Sequence, residues 1–132
     1  MERLEWSEIG KSSEGKVLSP AYIYNGKVYT AGTVGHFPND PTKFPNTIEE
    51  QTHFALQNFE KTLIASGSNL SSCLKLLIFI KNGHEQKAMN SVYGTYMTTK
   101  PARSCVVVKF PNPDILVEIE AVAVQIKGKP KL

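Results

Sequence analysis

Short segments of alternating apolar and polar residues at the two ends of this chain flank segments in which apolar residues recur at helical spacing. Ala21-Tyr22-Ile23-Tyr24 and Lys27-Val28-Tyr29-Thr30-Ala31 read as strands. Asn25-Gly26 between them predicts a tight hairpin, because both turn positions need positive φ. A short strand is expected before them, within residues 4–9. Residues 32–45 hold three prolines and two glycines, which predicts an ordered loop or a flap rather than a regular element. Thr47 with Glu50 forms a capping box for a helix beginning near Ile48. Its apolar stripe is Ala55, Leu56, Phe59 and Leu63, with Glu49, His53, Gln57, Glu60 and Lys61 mainly on the wet side, and Gly67 supplies the stop.

Residues 74–80 are a nearly continuous aliphatic and aromatic run, which predicts a strand covered on both faces. A second helix is expected over residues 84–98, burying Ala88, Val92 and Tyr96 beside Met89, Tyr93 and Met97. Pro101 closes it. Two further strands follow, Ala102-Arg103-Ser104-Cys105-Val106-Val107-Val108 and Val117-Glu118-Ile119-Glu120-Ala121-Val122-Ala123. The order gives an α+β domain spanning residues 1–132, with a single mixed sheet and two helices on one face. Such a sheet leaves its other face bare, and self-association into a closed ring would cover it.

The last two strands carry groups that resist burial. Arg103, Cys105 and Val107 share one face of their strand, and Glu118 and Glu120 share one face of theirs. If the segment between them is a simple hairpin loop, Cys105 faces Glu118 and Arg103 faces Glu120. A slip of one residue would part them. A charged guanidinium in an apolar strand needs an anion, which an internal glutamate or a ligand carboxylate would supply. The residues leave both open. Two glutamates against one arginine leave a carboxylate over for acid–base work.

Composition narrows the function classes. With 132 residues, 41% hydrophobic and 20% charged, the chain is long enough for a core without staples, and no apolar run approaches a membrane span. Part of the net charge of +3 sits in Lys127, Lys129 and Lys131, so the body is near neutral and offers no basic face for nucleic acid. Residues 127–132 are expected to be a solvated, flexible tail. Its end, Pro130-Lys131-Leu132, is only a weak match to the Ser-Lys-Leu peroxisomal address. The charged start shows neither a secretory signal nor a transit peptide, so a cytoplasmic location is the expectation. His36, His53, His84, Cys73 and Cys105 show no metal-ligand spacing.

Pro101-Ala102-Arg103-Ser104-Cys105-Val106 with Val117-Glu118-Ile119-Glu120-Ala121-Val122-Ala123 resembles the signature of the Rid family, also called YjgF/YER057c/UK114. The likeness extends to Asn25-Gly26-Lys27-Val28-Tyr29-Thr30-Ala31-Gly32, to Glu50-Gln51-Thr52 with Asn58, and to Asn90-Ser91-Val92-Tyr93. The resemblance implies a chorismate-mutase-like fold with the last strand central in the sheet, and a homotrimer with ligand clefts between subunits. It implies hydrolysis of reactive 2-imino acids to 2-keto acids and ammonia, without metal or organic cofactor. By position, Arg103 would hold the substrate carboxylate and Glu118 would orient or deprotonate water. Cys105, Asn90, Ala31 and Gly32 would line the cleft, and Glu120 would be structural.

Two positions depart from the family pattern. Family deaminases carry Ser-Gly-Gln where this chain has Ala31-Gly32-Thr33, and a tyrosine near Leu18. A lost hydrogen-bonding partner in a desolvated site costs about 1–3 kcal/mol. These departures keep open a non-catalytic, chaperone-like binder of 2-keto acids. The resemblance also brings an endoribonuclease or translation-inhibitor reading, which the near-neutral body opposes.

Overall fold

The computed structural model describes residues 1–131. The early strand forms as β1 (Glu2–Leu4) and stops short of its expected end, because Trp6–Ile9 winds into a 3-10 turn. β2 (Ala21–Tyr24) and β3 (Lys27–Thr30) make the expected hairpin, with Asn25 and Gly26 at φ of 49° and 71°. Where a loop was expected, Thr33–Val34 forms a further strand, β4. Its partner is the last strand, β7 (Val117–Val124). Tyr29 pairs with Val122 and Thr33 with Ile119, so one residue more lies between the two pairings on the β3–β4 side. That extra residue is a bulge at Ala31-Gly32.

Helix α1 (Ile48–Ala65) opens with the Thr47 hydroxyl accepting from the Glu50 N–H at 3.2 Å, and its stripe Ala55, Leu56, Phe59 and Leu63 is fully buried. Gly67, at φ 82°, turns the chain out of it. β5 (Cys73–Ile80) leads through a 3-10 turn at Gly83–Glu85 to α2 (Gln86–Tyr96), which is therefore shorter than residues 84–98. Its buried face centres on Met89, Tyr93 and, just beyond it, Met97, while Ala88, Val92 and Tyr96 are only half-buried. β6 (Ala102–Val107) follows.

The sheet runs β1-β2-β3-β7-β5-β6, with β4 also on β7. β6 lies parallel to β5, and β5 is antiparallel to β7. The last strand is thus internal, and the hairpin pairing of β6 with β7 does not form. The α2 crossover sets β6 outside β5, and residues 108–116 carry the chain back past β5 to its inner side.

Val28, Leu76, Ile78, Ile80, Val117, Ile119 and Ala123 point to one face, where they pack with residues of both helices into the core. The other face is bare within the chain. Leu77 and Phe79, expected to be covered, are only half-buried there. Tyr22, Tyr24, Tyr29 and Val106 are exposed on the same face. The tail differs from a frayed end as far as Lys129. Lys127 N–H donates to the Gly67 carbonyl at 3.2 Å, and the Lys129 ammonium meets Glu8 at 3.0 Å and Glu2 at 3.5 Å. Leu132 lies outside the described residues. Among the described residues no helix is long and apolar enough to cross a membrane.

Candidate active site

Register decides which side of the sheet each polar group occupies. Arg103 lies opposite Leu76 and Cys105 opposite Ile78, both core positions, so this pair points to the helix face. Glu118 lies opposite Phe79 and Glu120 opposite Leu77, on the bare face. Each pair shares a face as alternation demands. The two pairs point to opposite sides of the sheet, so one chain does not gather all four groups.

Arg103 is on the outer strand, where its half-buried side chain meets α2. Its Nη1 donates to the Asn90 Oδ1 at 2.6 Å, and its guanidinium carbon lies 4.7 Å from the centre of the Tyr93 ring. One helical turn spans these two contacts, so α2 offers an acceptor and an aromatic plate from a single face. Among the described residues the ion pairs join Arg3 to Glu5 and Lys129 to Glu2 and Glu8, and none includes Arg103. The internal Arg–Glu pair is therefore not how this guanidinium is satisfied. It is oriented by neutral partners, Asn90 and the Tyr93 ring.

By its periodicity Tyr93 is a buried member of the α2 stripe. Its ring is buried, and its hydroxyl has no hydrogen-bond partner. Burial pushes its pKa up, and the nearby Arg103 partly offsets that. The signal that could have found it is its three-residue spacing from Asn90, which puts both on one helical face.

Cys105, beside Arg103, is half-buried. Burial raises its pKa and Arg103 opposes the rise, which keeps the sulfur a thiol and argues against a nucleophile. Glu118 is half-buried, and burial first and Glu120 second hold its pKa above the usual carboxylate range. Its carboxylate lies against the bulge. A Cβ placed on Gly32 would be 2.5 Å from Glu118 Oε2, so only glycine leaves that carboxylate its place. Ala31 is anchored by its N–H, which donates to the Pro20 carbonyl at 2.9 Å. Leu18 is exposed, and its carbonyl accepts from the Trp6 indole N–H at 2.7 Å. The structure thus joins Glu118 with Gly32 on one side, and Arg103 with Asn90, Tyr93 and Cys105 on the other.

The family model described as endoribonuclease L-PSP matches residues 14–125. The chain belongs to this family. It is the group, also called YjgF/YER057c/UK114, that the strand motifs resemble. Among endoribonuclease L-PSP relatives, a RutC family protein of Synechocystis sp. is 36% identical over 79% of this chain and 82% of its own length. Escherichia coli TdcF, named as a candidate reactive intermediate deaminase, is 27% identical over 89% of this chain and 88% of its own. The crystal structure of TdcF with bound serine superposes with a TM-score of 0.82 at 25% identity, covering 93% of this chain and 98% of that one. A candidate endoribonuclease of Thermotoga maritima superposes at 0.84 with 29% identity, covering 96% of this chain and all of the other. The α+β mixed sheet with two helices is therefore the fold of this family.

Proposed function

We propose that this member of the family hydrolyses reactive 2-imino acids such as 2-iminobutanoate and 2-iminopropanoate to 2-keto acids and ammonia. The observation that carries the reading is Arg103, a charged side chain at the sheet rim with oriented neutral partners and, among the described residues, no carboxylate paired with it. Its planar fork suits the carboxylate of a 2-imino acid, and holding that group fixes the imine carbon beside it. The name of TdcF and the serine in its crystal structure, itself a small amino acid, support the same ligand class.

Glu118 serves as the acid–base group. It takes a proton from water as the oxygen bonds to the carbon of the protonated imine, giving a carbinolamine. It returns that proton to nitrogen as the C–N bond breaks, and the carbinolamine hydroxyl gives its own proton to the departing ammonia, leaving the keto acid and ammonium. A raised pKa suits a group that must both accept and release a proton near neutral pH. Since Arg103 and Glu118 face opposite sides of the sheet, the reaction needs two copies of the chain. A homotrimer serves this, with the rim of one copy meeting the bare face of the next and the cleft between them.

The test couples the purified protein to a threonine dehydratase and follows loss of 2-aminoacrylate or 2-iminobutanoate. The expected result is acceleration over buffer, with kcat/KM lowered about a hundredfold or more in Arg103→Ala. No acceleration, or an Arg103→Ala variant equal to wild type, overturns the reading. Ala31 and the exposed Leu18, in place of serine and tyrosine, favour a second reading, a 2-keto acid binder without turnover. Calorimetric binding of 2-ketobutyrate by a protein inactive in the coupled assay selects it.

A further inference from the structure

A cavity of about 750 Å³ lies between the N-terminal segment, the bulge and α1. Lys11, Lys16 and Lys61 line it, with His36 and Trp6, and no aspartate, glutamate or arginine is among its wall residues. Among the described residues none of the three lysines enters an ion pair. Lys11 and Lys16 are held from within. The His36 Nδ1 lies 2.7 Å from the Phe37 carbonyl, so it carries the proton and donates there. Nε2 is then a bare acceptor, and the Lys11 ammonium donates to it at 3.0 Å. Lys16 Nζ is 5.0 Å and Lys11 Nζ 6.0 Å from the centre of the Trp6 ring, so the indole gathers two cations at one side of the cavity.

We infer that this cavity is a binding site for a small phosphomonoester, whose dianionic phosphate sits among Lys11, Lys16 and Lys61. Like charges brought to one wall without a counterion repel, and a dianion removes that cost. In keeping with this, burial and then Lys16 and Lys61 depress the pKa of Lys11. Lysines acting as point charges suit phosphate, and the three of them match a dianion better than a singly charged carboxylate. Its volume exceeds a bare phosphate, which leaves room for the organic part of an ester. Ala31 and Gly32, which the resemblance places in the imine cleft, also line this cavity, whereas Arg103 does not, and the inference does not rest on imine hydrolysis.

The experiment titrates the full chain with inorganic phosphate, glycerol 3-phosphate and adenosine monophosphate, read by calorimetry at constant ionic strength. Saturable binding of at least one ester, tighter than inorganic phosphate, is expected. Lys11→Gln combined with Lys61→Gln should weaken it roughly tenfold or more. Lys16→Gln, at an exposed position where the fold is not at stake, should weaken it in the same direction. Arg103→Ala, and Lys27→Gln combined with Lys87→Gln, should leave it unchanged. Absence of saturable binding overturns the inference, as does equal weakening by the Lys27 and Lys87 pair, which would mean diffuse charge. Loss in Arg103→Ala would move the anion to the candidate active site. Lysine-dependent binding of a single-stranded oligoribonucleotide tighter than any ester would replace the small molecule by RNA.

Discussion

Glu118 is under two opposed demands. Its position against Gly32 and next to Glu120 disfavours its charge, yet the proposed chemistry needs that charge to take a proton from water. A carboxyl with a raised folded pKa binds its proton more tightly in the native state than in the unfolded one. Stability then falls as pH climbs from the ordinary carboxylate range through the raised value, and the full cost stays above it. Glu118→Gln should therefore raise the melting temperature at pH 7 and leave it nearly unchanged at about pH 3, below the ordinary carboxylate range, where the carboxyl is protonated in both states. Calorimetric melting at the two pH values checks this. The wild-type kcat/KM should fall as pH drops through the same raised value, and the Gln variant should lose most activity throughout. At this scale the sequence is legible wherever a residue's meaning is its own. Arg103, Cys105 and the two glutamates stand out because charge interrupts β-branched runs. Tyr93 does not, since a buried tyrosine looks the same whether or not a guanidinium rests on its face.

At the scale of elements, alternation and helical period locate β2, β3, α1, β5, β6 and β7, because each depends on residues a few positions apart. What escapes is anything requiring a distant partner. β4 exists only because β7 offers its edge to Thr33 and Val34, so no property of residues 32–45 announces it. The same holds for Gln51, which reads as a polar helix residue and is fully buried. Its amide donates to the Pro45 carbonyl at 2.9 Å and to the Asp114 carbonyl at 2.7 Å, and its Oε1 accepts from the Leu116 N–H at 2.8 Å. One side chain thus ties the proline-rich loop and the entry to β7 onto α1. Gly35 belongs to the same joint, for a Cβ there would collide with the Gln51 carbonyl. Gln51→Ala leaves three backbone groups without their partner and should cost about 2–4 kcal/mol in urea unfolding. Because the loss falls on the start of β7, activity should decline with it even though Gln51 makes no hydrogen bond to Arg103.

At the scale of the molecule the bare sheet face is the dominant fact. Tyr24, Tyr29 and Val106 are 53%, 44% and 41% exposed on a surface that also holds Leu77, Phe79 and the two glutamates. Contiguous apolar surface of this kind marks a contact site. Sedimentation should give a trimer for the wild-type protein. Tyr29→Asp combined with Val106→Asp should yield monomers that keep their melting cooperativity and lose imine hydrolysis.

The division of Arg103 and Glu118 between two sides of one sheet has a genetic consequence. In the ring of copies proposed above, each cleft would take its arginine from one chain and its glutamate from the neighbour, so two defective alleles would complement one another. Arg103→Ala and Glu118→Gln subunits, each inactive alone, should regain up to roughly a quarter of wild-type turnover when unfolded together and reassembled at equal amounts. Random mixing makes that share of clefts from one intact arginine and one intact glutamate. No recovery, in mixed rings verified by mass, would place both groups in a cleft of a single chain's making.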